Sequence, residues 1–295
     1  MRKCCVTFCF LILIHALFAQ LEEARRITQH LCSKELQGRG YVNHGDSIAA
    51  RFLEQEFSKI GLNYLQNQTS YFQSFAHNVV TFPGEMSVVI NNDTLVPGID
   101  FIVDPNSGSS NEVWNYRILT IDELFDVELK NRYLDSKRKI AANITGCVID
   151  IRHISGDSLR KIRLEIIPTL AQQLHLLVIT DEKFTFSVGN EPYSFSLVYV
   201  KGHKFTSISS IKTHIQSRFK ENYLSSNVIG TIPAVKKTKK TIVITAHYDH
   251  LGKMGKNTYF PGANDNASGV AMLLELARYY TKNTTKYNLV FIAFA

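Results

Sequence analysis

His247, Asp249 and Asp265 are the residues of this chain whose types and spacing suit a chemical site. His247 and Asp249 stand two apart, and residues two apart on a strand share a face. A carboxylate beside an imidazole can accept its second N–H, fix the tautomer and leave the other nitrogen for a metal. Asp265 follows His247 by eighteen residues, inside the turn Gly262-Ala263-Asn264-Asp265-Asn266. Imidazole plus carboxylate is a ligand set suited to zinc. A His-x-Asp taken alone is equally well explained as a hydrogen-bonded histidine at a strand end. The weight therefore falls on the elements that would position these side chains.

Thr241 to Ala246 is a short β-branched and apolar run, which predicts a buried strand delivering His247, Tyr248, Asp249 and His250 at its C-terminal end. In an open α/β sheet ligands bind at that end. From Ala267 to about Tyr280 a helix is expected, capped by Asp265 or Asn266. Its Val270, Leu273, Leu274 and Ala277 follow helical spacing, and Met272 and Leu276 widen the stripe. Such a helix is expected to lie sandwiched between layers. Asn288 to Phe294 reads as the next buried strand, and Asn227 to Ile232 as an earlier one. Gly252 to Pro261 reads as a loop wrapping the site.

A strand ending in HYDH, then PGANDNASG opening an apolar helix, then YNLVFIAFA, resembles metallopeptidase family 28. These are the di-zinc aminopeptidases, whose relatives include glutamate carboxypeptidase, glutaminyl cyclase and the metal-free transferrin receptor. The resemblance implies an α/β fold: a three-layer mixed-sheet zinc exopeptidase core, truncated here, with an inserted β-rich domain. It implies two zinc ions, with His247 ligating one, Asp265 bridging both, and Asp249 orienting His247. It also implies a cis peptide at Asp265–Asn266, a zinc aminopeptidase activity and peptide substrates. His250 is assigned contact with the loop or substrate and no ligation.

Members of that family continue the Phe-x-Ala-Phe-Ala strand with Gly-Glu-Glu. The first Glu is the general base and the second a ligand, and a further Asp and His ligand follow. The chain stops at Ala295, so two of five ligands are present and the general base is absent from this chain. The expectation is an N-terminal fragment of a longer exported peptidase, inactive by itself. Two other classes stay open: a glutaminyl-cyclase-like transferase with one zinc, and a non-enzymatic binding protein on the same scaffold. Asp-His after His-Tyr, and Asn-Asp-Asn-Ala-Ser-Gly around position 265, favour the aminopeptidases.

Upstream, Leu21 to about Leu31 is helical, and a second helix is expected from Asp46 or Ser47 to Lys59, ending at Gly61. Ile48, Phe52, Leu53, Phe57 and Ile60 define its apolar side. Between them Ser33 to Gly40 is a turn-rich link, and Tyr71 to Phe75 reads as an alternating strand. Leu-Gln-Gly-Arg within the link resembles the entry segment of exported bacterial family members. From Met86 to Ser217 strand-like runs alternate with turns and short helices. Gly146 to Asp150, Leu176 to Ile179 and Phe195 to Val200 resemble the protease-associated domain. The expected organisation is a signal peptide over 1–19, an N-terminal part of the peptidase domain over 20–85, an inserted protease-associated-like β-rich domain over 86–217, and the core with its first metal ligands over 218–295.

Arg2 and Lys3, then an apolar run from Val6 to Phe18 and Ala19, read as a secretory signal peptide cut near Ala19. The protein is accordingly expected to be secreted or periplasmic, without stable membrane insertion. Loss of Arg2 and Lys3 lowers the net charge from +7 to +5. The densest basic run, Lys236 to Lys240, carries no interleaved aromatic residues, so it reads as a solvated turn and not a nucleic-acid surface. At 45% hydrophobic residues the chain can fill a core. Cys32 and Cys147 remain after cleavage, one pair that a disulfide would join. Asn67, Asn143 and Asn283 begin N-x-Ser/Thr triplets. His153, His175 and His203 lack metal-like spacing and read as structural or surface residues.

Overall fold

Along Asn288–Phe294, Leu289, Phe291 and Ala293 alternate with Val290, Ile292 and Phe294, so one set must face each side of a sheet. In the computed structural model the first set is buried and the second is partly or largely exposed. The structure describes residues 21–126, 143–204, 206–283 and 285–295. The signal-peptide expectation for residues 1–19 lies outside them. The fold is mixed α/β with several sheets, and the chain divides into two compact units.

Of the described residues, the first unit contains those from 21 to 76, Leu224–Gly252 and Tyr259–Ala295. Its sheet takes in the first part of Phe72–Thr81, the second part of Arg218–Ile232, then Asn288–Phe294 and Thr241–His247, in that order. Thr241–His247 is parallel to Asn288–Phe294, with Ile244 opposite Phe291 and His247 opposite Phe294. Arg218–Ile232 runs antiparallel on the other side of Asn288–Phe294. One apolar core joins Ile27 and Leu31, Leu53 and Phe57, and Leu273 and Leu274 to Leu289, Phe291 and Ala293. The helices 21–31, Gly45–Ile60 and Ser268–Lys282 thus cover the same face of the sheet.

This arrangement corrects several expectations. Thr241–His247 is a strand, but it is not buried: it forms the sheet edge, and Ala246 is its one buried residue. Val243, on the face away from the helices, is 53% exposed. Asn288–Phe294 is half-buried for the same reason. Ser268–Lys282 is amphipathic and not sandwiched, since Met272 is 59% exposed. Neither Asp265 nor Asn266 caps it. The helix grows directly out of a wider turn at Ala263–Ala267, and no side chain caps its start.

Gly45–Ile60 ends where expected. Gly61 takes a left-handed conformation (φ 84°) and donates its N–H to the carbonyls of Phe57 and Ser58. The buried side of that helix is shifted, however. Ile48 is exposed, whereas Asp46 and Glu56 are buried. Glu56 can be buried because Lys59 (3.1 Å) and Arg278 pair with it, and Arg278 also meets Glu23 at 3.0 Å. Polar partners on neighbouring helices, invisible to a hydrophobic stripe, set the rotation.

The second unit contains His77–Tyr223 and Lys253–Thr258. Its five-stranded sheet has the order Phe101–Val103, Leu197–Lys201, His175–Thr180, Gly146–Asp150, Tyr116–Leu119. All neighbours are parallel except Phe101–Val103, and Gly156 to Ala171 forms the helical crossover between two of them. A four-stranded antiparallel sheet pairs Ile211–Ile215 with Met86–Ile90 and Ser110–Val113. Phe101 begins a buried strand. Within Gly252 to Pro261, read as a loop, Lys253–Met254 and Thr258–Tyr259 form a two-stranded sheet. No disulfide joins Cys32 and Cys147. No helix among the described residues is long and apolar enough to cross a membrane.

Candidate metal centre

Strand pairing fixes the first component of the site. Thr241–His247 ends beside Phe294, and the Tyr248 amide continues the ladder to the Phe294 carbonyl at 2.7 Å. Tyr248 is fully buried and its hydroxyl donates to the Ser226 carbonyl, 2.8 Å away. With Tyr248 anchored inward, His247 and Asp249 emerge at the C-terminal end of the strand. His247 Nδ1 lies 3.2 Å from both the Asp249 carboxylate and the Asp249 carbonyl. Both neighbours can accept from a protonated Nδ1, the tautomer that would leave the Nε2 lone pair for a cation.

The second component is the turn that starts at Gly262, itself in a left-handed conformation (φ 60°). It places Asp265 Oδ1 at 3.1 Å from His247 Nε2, and Asp265 Oδ2 at 3.7 Å from His250 Nδ1. The Asp265–Asn266 peptide is cis. The residues singled out from sequence are therefore brought together, with His250 beside them.

An Nε2 lone pair facing a carboxylate oxygen repels it unless a cation lies between them. A second ring proton or a metal ion meets that need. Zinc bonds of about 2.0–2.2 Å at tetrahedral angles put adjacent nitrogen and oxygen ligands roughly 3.4 Å apart. The observed 3.1 Å needs only a small adjustment to fit that spacing. The His247 and Asp265 side chains are 45% and 69% exposed, so an ion can reach both. They supply two donors where zinc takes four. Among the described residues no group of three or more metal-capable side chains is assembled.

Burial pushes the Asp249 carboxyl above its ordinary range, against the pull of His247 and Arg39. Burial lowers the pKa of His250, and the positive charge of Arg39 lowers it further. Arg39 is the residue that sequence reasoning missed. It is fully buried in the turn-rich link and its main chain is left-handed (φ 52°). Its carbonyl accepts from the His250 amide, and the Gly38 carbonyl from the Gly252 amide, both at 3.0 Å. A Cβ on Gly38 would stand 2.3 Å from the Gly252 oxygen, so glycine is required at that crossing. The signal available in sequence was a charged residue between two glycines.

Comparison with known proteins places this geometry in context. Residues 227–295 match the model of peptidase family M28. A probable zinc metalloprotease of Pyricularia oryzae is 39% identical over 72 residues, 24% of this chain and 14% of that protein. The aminopeptidase from Aneurinibacillus sp. strain AM-1 shares the fold with a TM-score of 0.59 at 22% identity. That likeness covers 93% of this chain and 62% of the aminopeptidase. BSAP, a zinc aminopeptidase from Bacillus subtilis, gives a TM-score of 0.60 at 15% identity, over 93% of this chain and 61% of its own. The chain spans less than two thirds of the length of these relatives. At such identities the structural likeness establishes the fold.

Proposed function

We propose, from the match of residues 227–295 to peptidase family M28, that this chain forms part of an exported zinc-dependent aminopeptidase that hydrolyses N-terminal peptide bonds. His247 and Asp265 would hold the zinc, and Asp249 would hold the His247 ring in the tautomer that frees Nε2. The observation that carries this reading is the approach of His247 Nε2 to Asp265 Oδ1, 3.1 Å apart at the C-terminal end of a strand. Zinc bound there supplies Lewis-acid polarisation of a peptide carbonyl and activation of water. The chain's own residues orient and stabilise. Asp249 orients the His247 ring through Nδ1, and buried Tyr248 fixes the strand end from which both project.

Two donors do not complete a zinc sphere. Metal-dependent hydrolysis is therefore assigned to a polypeptide in which further ligands and a general base join His247 and Asp265. Export through residues 1–19, and a protease-associated-like role for residues 86–217 in shielding the cleft or selecting substrates, belong to the same proposal. The test is release of nitroaniline from aminoacyl-nitroanilides by that polypeptide, with and without a zinc chelator. Chelation, His247→Ala and Asp265→Ala are each expected to reduce release to background. Full activity in either variant contradicts the assignment.

A further inference from the structure

The guanidinium of Arg39 has five N–H donors, and each has its own main-chain acceptor. Nε donates to the Tyr248 carbonyl (2.7 Å), Nη1 to those of Leu31 (2.6 Å) and Pro261 (2.7 Å), and Nη2 to those of Gly262 (2.9 Å) and Asp265 (3.3 Å). These acceptors belong to three separate stretches: the end of the helix 21–31, the HYDH segment, and the turn that bears Asp265. Tyr248 adjoins His247 in the chain, and Asp265 is itself one of the acceptors. The separation between the two proposed ligands is thus spanned by one rigid planar group. The Arg39 carbonyl adds a further tie by accepting from His250 at 3.0 Å.

A salt bridge is the usual reason to bury an arginine, and no carboxylate hydrogen-bonds to this one among the described residues. Burial of this guanidinium carries a desolvation cost, offset in part by the Cys32 side chain and by the charges of Asp249 and Asp265. The return is geometric, because a planar fork fixes both the spacing and the orientation of its acceptors.

We propose that Arg39 is a positioning residue that sets the approach of Asp265 to His247, and through it the affinity of that pair for zinc. The inference rests on the metal reading above. Lysine keeps the charge and most of the length but has three donors at a single point, so it cannot span five carbonyls. Arg39→Lys is therefore the informative variant.

The full chain, unsubstituted and as Arg39→Lys, is titrated with Zn2+ alone by calorimetry, with His247→Ala alongside. Hydrogen exchange is followed over residues 247–252, 260–267 and 268–282. Arg39→Lys is expected to weaken zinc binding at least tenfold and to speed exchange at least tenfold in the first two segments, leaving 268–282 unchanged. Zinc affinity retained within twofold, while His247→Ala loses it, overturns the positioning role and spares the metal reading. Equal loss of protection in all three segments also overturns it, because Arg39 would then serve the whole fold. An unsubstituted chain that binds zinc no better than His247→Ala overturns the metal reading, and this inference with it.

Discussion

Asp249 carries two opposing demands. Its burial favours the neutral acid, while its bond to His247 favours the carboxylate, and burial prevails in raising its pKa. The folded chain therefore binds this proton more tightly than the unfolded chain does. Its contribution to stability is present at low pH and is lost as pH rises from the ordinary carboxylate range through the raised value. Asp249→Asn is expected to remove that downward slope, read as chemical-denaturation midpoints across pH in the presence of chelator. An unchanged slope would show that Asp249 is not its source. The same variant should weaken zinc binding by about 10–100-fold, as losses of partners to metal-ligating histidines do. His247, Asp249 and Asp265 were legible in sequence because metal and acid–base chemistry demands particular side chains. Arg39 was not, since its partners are main-chain carbonyls and any residues could have supplied them.

The elements were legible wherever local rules suffice. Gly61 ends its helix by taking a conformation that glycine favours, and an apolar run located the strand Asn288–Phe294. Burial was less legible, because a run such as Thr241 to Ala246 reads alike whether it lies at the centre or the edge of a sheet. The position of Thr241–His247 at an edge comes from pairing with a partner more than forty residues away, which composition does not encode. Two substitutions separate the faces. Phe291→Ala, on the helix-covered face, is expected to cost about 3–5 kcal/mol. Val243→Thr, on the exposed face, should stay within about 0.5 kcal/mol. Denaturant unfolding of both variants provides the check, and a large loss for Val243→Thr would mean that this face is covered in solution.

For the whole molecule, the site is assembled from segments distant along the chain. Residue 39 reaches 248 and 261–265 within one compact unit whose sheet and three helices share a core. That core depends on the ion pairs among Glu23, Glu56, Lys59 and Arg278 as well as on apolar packing. The family model accounts for 227–295, whereas the structural likeness extends over 93% of the chain. The fold is thus recognisable beyond the stretch that the family model matches. The central claim is that this arrangement makes one cation site from His247 and Asp265. The most direct measurement is anomalous diffraction at the zinc edge from crystals of the protein grown with zinc. The account predicts a peak within bonding distance of both His247 Nε2 and an Asp265 carboxylate oxygen. Zinc bound elsewhere while that pair stays without an ion would contradict it.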